Sequence, residues 1–259
     1  MPMVTIKTED ELARMRRAGE IVAKALAAVK TMVRPGVTTL ELDTAAEELI
    51  RDHGGVPSFK GYHGFPGTIC ASVNEEIVHG IPGARVLRDG EIVSIDVGVI
   101  WEGYQGDSAI TVAVGEASPE AQRLMDATQA ALVATIAAAR DGARLGDVSH
   151  AVEATAAGWG YDVVRQYGGH GIGKAMHEAP HVPNWGPAGR GLRLRAGMTM
   201  ALEPMLTSDG SRTRTLDDGW TVVTANGDLS AHFEHTIVVT KDGGEVLTRI
   251  ADDAGPDRE

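Results

Sequence analysis

The sequence predicts an α/β protein of mixed helices and antiparallel sheet, built as two similar halves facing a cleft. Three observations carry this expectation: two helical patterns open each half, a glycine-rich polar stretch follows, and paired β-branched runs close it. At 259 residues the chain can form one compact unit, or two fused across a shared core. The expected arrangement is a single unit over 1–259, with an N-terminal half near 9–115 and a C-terminal half near 118–250. Glycine is abundant, at 32 residues, and aromatics make up only 4%, so close backbone approach substitutes for some aromatic packing.

The first helix is expected over Glu9 to Met32, with Thr8 as N-cap and Glu11 completing a capping box. Leu12, Met15, Ile21, Val22, Leu26 and Val29 form its apolar stripe, and Arg34-Pro35-Gly36 ends it. Thr39 is expected to cap a second helix from Leu40 to Asp52, before Gly54-Gly55. From Pro57 to Gly83 glycine, proline and polar residues describe loops with short strands, a suitable wall for a binding site.

A hairpin follows, with Glu91 to Ile100 outbound, Trp101 and Glu102 as the link, and Gly103 to Val114 returning. Val93, Ile95, Val97 and Val99 share one face, and Ile92, Ser94, Asp96 and Ile100 the other. If Ile100 opposes Gly103, Asp96 falls directly across from Asp107, within the ~5 Å reach of facing side chains. In the second half, helices are expected over Pro119 to Ala139, capped by Ser118, and over Leu145 to Ala157, ended by Gly158. A polar segment, Tyr167 to Trp185, then precedes strands over Gly197 to Leu206 and Ala231 to Thr240.

The formal charge of −12 argues against a surface made for phosphate backbones, so no specific nucleic-acid partner is expected. A lone cysteine, Cys70, cannot close an internal disulfide and fits a reducing compartment. No apolar run reaches the ~18 residues of a membrane span, and the opening residues read as charged helix rather than a secretory leader. The expectation is a cytoplasmic protein with no membrane partner.

Asp96, Glu203 and Glu234 lie in apolar strand-like runs, where an unpaired carboxylate is expensive, and Asp107 follows Gly106 on the returning strand. Asp96 alone could be satisfied by backbone or serine donors, and Asp107 could cap a turn. The basic residues nearby are too few to pair with all four. Four ionised carboxylates contribute −4 and two divalent ions +4, which solves the electrostatic problem. His170, among glycines in Gly168 to Gly173, adds a nitrogen ligand or else serves as a hydrogen-bonding loop residue. Oxygen-rich ligation with one imidazole suits manganese, iron or cobalt, with zinc also compatible. There is no zinc-helix motif, phosphate-cradling glycine loop or glycine-flanked nucleophilic serine.

The residues resemble the bacterial type I methionine aminopeptidases, within the pita-bread metallopeptidases, from the first helix to Thr240. The likeness rests on Gly61-Tyr62-His63-Gly64-Phe65, Asn74-Glu75-Glu76 through His79-Gly80-Ile81-Pro82, Ser94-Ile95-Asp96-Val97-Gly98 and Gly106-Asp107. Gly169-His170-Gly171-Ile172-Gly173, His177-Glu178-Ala179-Pro180, Ala201-Leu202-Glu203-Pro204 and Phe233-Glu234-His235-Thr236 complete it.

The resemblance implies a single catalytic pita-bread domain with two divalent metal ions. Asp107 and Glu234 would bridge them, Asp96 complete one, and His170 with Glu203 the other. It implies that a metal-activated water attacks the peptide carbonyl, with Glu203 as proton shuttle and His79 and His177 as assisting, substrate-binding histidines. The methionine wall would be Tyr62, Phe65, Cys70, Met176 and Trp220, with His63 beside it. Met176 stands where an aromatic is common, Phe65 where tyrosine is, and Phe59 where a smaller residue is. The implied substrates are nascent polypeptides with a free N-terminal methionine and a small second residue. The protein is expected to be a monomer, any ribosome contact being transient and made by the catalytic surface. A proline-directed relative would share the metals but require different substrate-end recognition. A non-catalytic binding module would be expected to have lost a metal carboxylate, and none of the candidates is missing.

Overall fold

In the computed structural model, which describes residues 4–209 and 212–250, helix α1 (Glu9–Met32) starts where the Thr8 side chain accepts from the Glu11 amide and Glu11 accepts from the Thr8 amide at 2.8 Å. Of the unit expected over 1–259, residues 1–3, 210–211 and 251–259 lie outside this description. Helix α2 (Thr39–Asp52) carries the same reciprocal cap one residue earlier than expected, because Thr38 lies three positions before its partner Glu41. Thr39 is instead the first helical residue, and its hydroxyl ties the helix to Gly83.

Strands β1 (Val56–Pro57), β2 (Ile69–Val73), β4 (Ile92–Trp101) and β5 (Tyr104–Ala113) form the first sheet, with β3 (Glu76–Val78) leaving it. β5 runs along one edge of β4, while β1 and β2 share the other. Val93, Ile95, Val97 and Val99 are fully buried against Ile21 and Val22 of α1 and Leu42 and Ile50 of α2. The opposite face, as its alternation requires, carries Asp96 and Asp107.

The hairpin register differs from the expected one by two residues. Trp101 pairs with Tyr104, so the turn is Glu102-Gly103, with φ of +46° and +80°. Positive φ at both central residues matches the right-handed twist of the flanking strands. Asp96 therefore opposes Ala109 and Asp107 opposes Gly98, making the aspartates diagonal rather than facing neighbours. A slip of two keeps each side chain on its face, so both still reach the same site.

Helices α3 (Pro119–Ala138) and α4 (Leu145–Trp159) open the second half. Ser118 caps α3 as expected. α4 continues past Gly158 because the left-handed terminator is Gly160, at φ +83°. β6 (Asp162–Val163) follows. The segment expected to be loop contains β7 (Gly168–Gly171) and β8 (Glu178–Pro183), and His170 is a strand residue. Its glycines serve close packing: a Cβ on Gly169 would stand 2.2 Å from the Ala201 carbonyl oxygen.

The two long strands expected in the second half are each broken. β9 (Thr199–Leu202) and β10 (Met205–Thr207) are separated by Glu203-Pro204. After β11 (Thr213–Thr215) and β12 (Val222–Thr224), β13 (Ser230–His232) and β14 (His235–Val239) are separated by Phe233-Glu234. β9 pairs with β14 and β10 with β13 in one continuing register, which sets Glu203 opposite Glu234 at the break. Glu203 and Glu234 are thus residues of a gap in the ladder, not of strand interiors. Pro204 has no N–H to carry the ladder through. β14 also pairs with β15 (Gly244–Val246).

Two threonine hydroxyls stitch the halves together. Thr236 accepts from the Asp107 amide at 3.0 Å and donates to the Asp107 carbonyl at 2.8 Å. Thr111 does the same to His232, at 2.9 and 2.8 Å. Midway between them, the backbones of Ala109 and Glu234 bond to each other in both directions. This seam is two-fold in its chemistry: what the second half does to Asp107, the first does to His232. No helix among the described residues is long and apolar enough to cross a membrane.

Thr236→Val keeps the shape but leaves the Asp107 amide and carbonyl unpaired, so it is expected to lower unfolding free energy by about 2–4 kcal/mol in denaturant titration. Gly106→Ala would press a Cβ to 2.8 Å from the Gly19 backbone nitrogen of α1, with an expected loss of about 1–3 kcal/mol in the same measurement.

Candidate metal centre

A cavity of about 400 Å³ lies where the two halves meet, lined by Asp96, Asp107, His170, Glu203 and Glu234 together with aromatic and histidine side chains. A larger open depression around Arg140, Asp147 and Lys241 holds none of these groups. Asp96 and Glu203 stand at the cavity wall, while Asp107, His170 and Glu234 are buried. One ligand-capable atom from each of Asp107, His170 and Glu234 falls within 4.8 Å of the others. His170 Nε2 is 3.7 Å from Glu203 Oε1 and 3.9 Å from Asp107 Oδ2.

The orientation of His170 is chemically telling. Its Nδ1 lies 2.9 Å from the Gly171 carbonyl oxygen, which can only accept, so Nδ1 carries the ring proton. Nε2 therefore turns a lone pair toward the Glu203 and Asp107 carboxyls, which when ionised offer only lone pairs themselves. Asp96 Oδ1, Asp107 Oδ1 and Glu234 Oε1 are buried without a hydrogen-bond partner among the described residues. Acceptors converging with no donor between them are the donor set of a cation, and the backbone-fixed tautomer is the one that metal-binding histidines use.

Burial, reinforced by mutual repulsion, drives these carboxyls upward in pKa. Asp96 is pushed up to about 7, chiefly by desolvation. Glu203 is pushed up to about 8 by desolvation and then by the charge of Asp96. Asp107 and Glu234 rise well above the carboxylate range for the same reasons. Desolvation lowers His170 to about 4, leaving its ring neutral.

The other expected site residues divide. Tyr62, His63, Phe65, Cys70, His79, His177 and Trp220 line the cavity. Tyr62 hydroxyl lies 3.0 Å from His177 Nδ1, and their rings stack. Phe65 and Trp220 meet edge to face, as do His79 and Trp220. His79 holds φ +62°, left-handed backbone that is uncommon outside glycine, and burial lowers its pKa to about 4. Met176 is not among the lining residues. It is buried in a cluster with Leu12, Met15, Tyr104 and Ile172, against which Phe59 and Tyr62 pack. Phe59 lines the cavity itself, and Phe59 and Met176 together occupy the space a side chain on Gly98 would need.

Sequence reading missed the supports. Thr236 holds the Asp107 backbone, and the Asn184 amide donates to the Glu203 carbonyl at 2.9 Å. His232, fully buried, places Nε2 3.6 Å from Glu234 Oε2. One signal was available: Asp107 and His232 each precede a threonine by four residues, at matching points of the two halves.

The family model for metallopeptidase family M24 matches residues 13–241. The chain is 48% identical over 248 residues to methionine aminopeptidase 1 of Bacillus subtilis, covering 96% of this chain and all of that protein. It is 49% identical over 253 residues to methionine aminopeptidase 1 of Mycobacterium tuberculosis, covering 95% of each. The crystal structure of methionine aminopeptidase from Thermotoga maritima superposes with a TM-score of 0.93 at 44% identity, over 95% of this chain and all of that one. Prolidase from Pyrococcus furiosus shares the fold, with a TM-score of 0.78 at 21% identity, over 94% of this chain and 65% of that one.

Carboxyls raised by burial hold protons in the folded protein that they release on unfolding, so stability of metal-stripped protein falls as pH rises. The loss begins near the ordinary carboxylate range, about pH 4, and continues through about 7 for Asp96 and about 8 for Glu203. Melting curves of stripped protein are expected to shift down between pH 5 and pH 9 by more than about 5 °C, and added Mn²⁺ to restore more at pH 8 than at pH 5. Equal restoration at both would contradict the electrostatic account.

Proposed function

Because this chain belongs to metallopeptidase family M24 and has the pita-bread fold, we propose that it removes the initiator methionine from polypeptides whose second residue is small. The observation that carries the reading is the His170 lone pair turned toward the Asp107 and Glu203 carboxyls, in an apolar-walled cavity where Asp96, Asp107 and Glu234 each bury an oxygen without a partner among the described residues. In this reading Asp96, Asp107, His170, Glu203 and Glu234 would hold two divalent ions. Manganese, iron, cobalt and zinc all suit the donors. When bound, the ions acidify water and polarise the peptide carbonyl.

The protein's own groups supply the rest. Glu203, at the cavity wall, accepts a proton in its ionised form and passes it to the leaving amine. With Tyr62 as the donor in its contact with His177 Nδ1, His177 Nε2 would carry the ring proton and donate to the substrate carbonyl. His79, neutral and held by its backbone, meets the scissile nitrogen or the adjacent backbone. Tyr62, His63, Phe65, Cys70 and Trp220 enclose the methionine side chain together with Phe59, which Met176 backs from the core. Crowding beside the ions then excludes bulky second residues by steric cost.

The substrates are nascent chains with an unblocked methionine, met in the cytoplasm by a monomer, any ribosome contact being transient. The catalytic unit is one domain with halves near 9–115 and 118–250.

Stripped protein given Mn²⁺ or Co²⁺ is expected to release methionine from Met-Ala peptides, to leave Met-Leu peptides largely intact, and to ignore Ala-Pro. Cleavage of Ala-Pro alone would move the chain to the proline-directed branch, and full activity without metal would end the reading. Glu203→Gln is expected to lower kcat about 10²–10⁴-fold while KM changes only a few-fold. Undiminished turnover would take Glu203 out of proton transfer.

A further inference from the structure

His232 occupies in the second half the place that Asp107 occupies in the first. Each has its backbone N–H and C=O held by a threonine hydroxyl from the facing strand, and the Ala109–Glu234 backbone pair lies midway between them. Asp107 turns its side chain into the acidic cluster. His232 presents a ring only 2% exposed, whose Nε2 has no hydrogen-bond partner among the described residues. The acidic atom beside it is Glu234 Oε2, at 3.6 Å.

The ring is not placed as a further ligand. The cavity is lined by all five carboxylate and imidazole groups of the centre, Asp96, Asp107, His170, Glu203 and Glu234, and His232 is not among its lining residues. A buried ring nitrogen left unpaired is costly, and this one faces Glu234 Oε2, an acceptor that a proton on Nε2 would satisfy. Shortening 3.6 Å to about 2.9 Å, within small torsional changes of either side chain, completes a charge-assisted bond. The clamp on the His232 backbone by Thr111, itself bonded to Ser94 at 2.8 Å, fixes the direction from which the ring approaches.

We propose that His232 is a positioning residue for Glu234, donating from Nε2 to Oε2 and so fixing the angle at which this carboxylate meets the cations. The inference rests on the metallopeptidase reading, because it assigns His232 a role only if Glu234 binds metal. Outer partners of this kind orient a ligand before the metal arrives, and their loss weakens affinity without unfolding the site.

Calorimetric titration of Mn²⁺ into metal-stripped wild type, His232→Leu and His232→Gln tests it. Leucine fills the space without a donor, and affinity is expected to fall about 10–100-fold. Glutamine offers an amide N–H to the same oxygen and is expected to stay within a few-fold of wild type. In wild-type protein loaded with Zn²⁺, a nitrogen-15 spectrum is expected to show Nε2 as the protonated ring nitrogen of His232, a readout that does not depend on any variant folding. Wild-type affinity in His232→Leu, with only KM altered across second-residue peptides, would overturn the proposal in favour of a substrate-facing ring, and so would protonation at Nδ1. Wild-type protein that takes up no Mn²⁺ would overturn the metallopeptidase reading itself, a result distinguishable from failure of the His232 assignment alone.

Discussion

The reciprocal threonine clamps govern the geometry of everything in the cleft. A sheet edge normally finds its hydrogen bonds in a neighbouring backbone. Here β5 and the broken strand β13–β14 are joined by one true backbone pair, Ala109 with Glu234, flanked by hydroxyls standing in for backbone groups. Each hydroxyl satisfies an amide and a carbonyl together, so the halves meet without a continuous ladder and without orphaned main chain at these points. Asp107 and Glu234 are consequently held by the seam itself rather than by loops.

Such rigidity is needed because the side chains repel one another. Burial forces Asp96, Asp107, Glu203 and Glu234 toward protonation, while the fixed tautomer of His170 adds another lone pair to the same space. A flexible scaffold would relieve the conflict by splaying these groups into solvent. The seam and the packing of α1 against β5 prevent that, so only neutralisation in place remains, by protons or by cations. The breaks at Glu203-Pro204 and Phe233-Glu234 contribute to the same end by setting two carboxylates opposite each other where the ladder gives way.

Features specified by neighbouring residues were legible in the sequence. The reciprocal cap of Thr8 and Glu11, the Ser118-Pro119 start and the valine face of β4 depend on contacts a few positions apart, and the folded chain contains them. Features that depend on backbone torsion were not. A two-residue slip leaves period-two alternation unchanged, so only the positive φ of Glu102 could distinguish the observed hairpin register from the expected one. Gly158 and Gly160 look alike until one adopts the left-handed form, and glycines that read as loop around His170 are strand residues thinned for close contact. The convergence of Asp96, Asp107, Glu203 and Glu234 on one cavity followed from their common strangeness as charges in or beside apolar runs, while His170, among glycines, gave a weaker sign. The support from Thr111 to His232, across a separation of 121 residues, left no comparable mark. Met176 packs behind the wall against Phe59 and Tyr62, and an apolar residue gives no sign in the sequence of whether it faces a cavity or the core behind it.

Tyr62 belongs to two structures at once: its ring forms part of the cavity wall and its hydroxyl holds His177. In a lineage drifting toward other side chains at the cleaved end, replacing this tyrosine would disturb a histidine along with a contour. A change at Tyr62 therefore alters the wall and the support of His177 in one step.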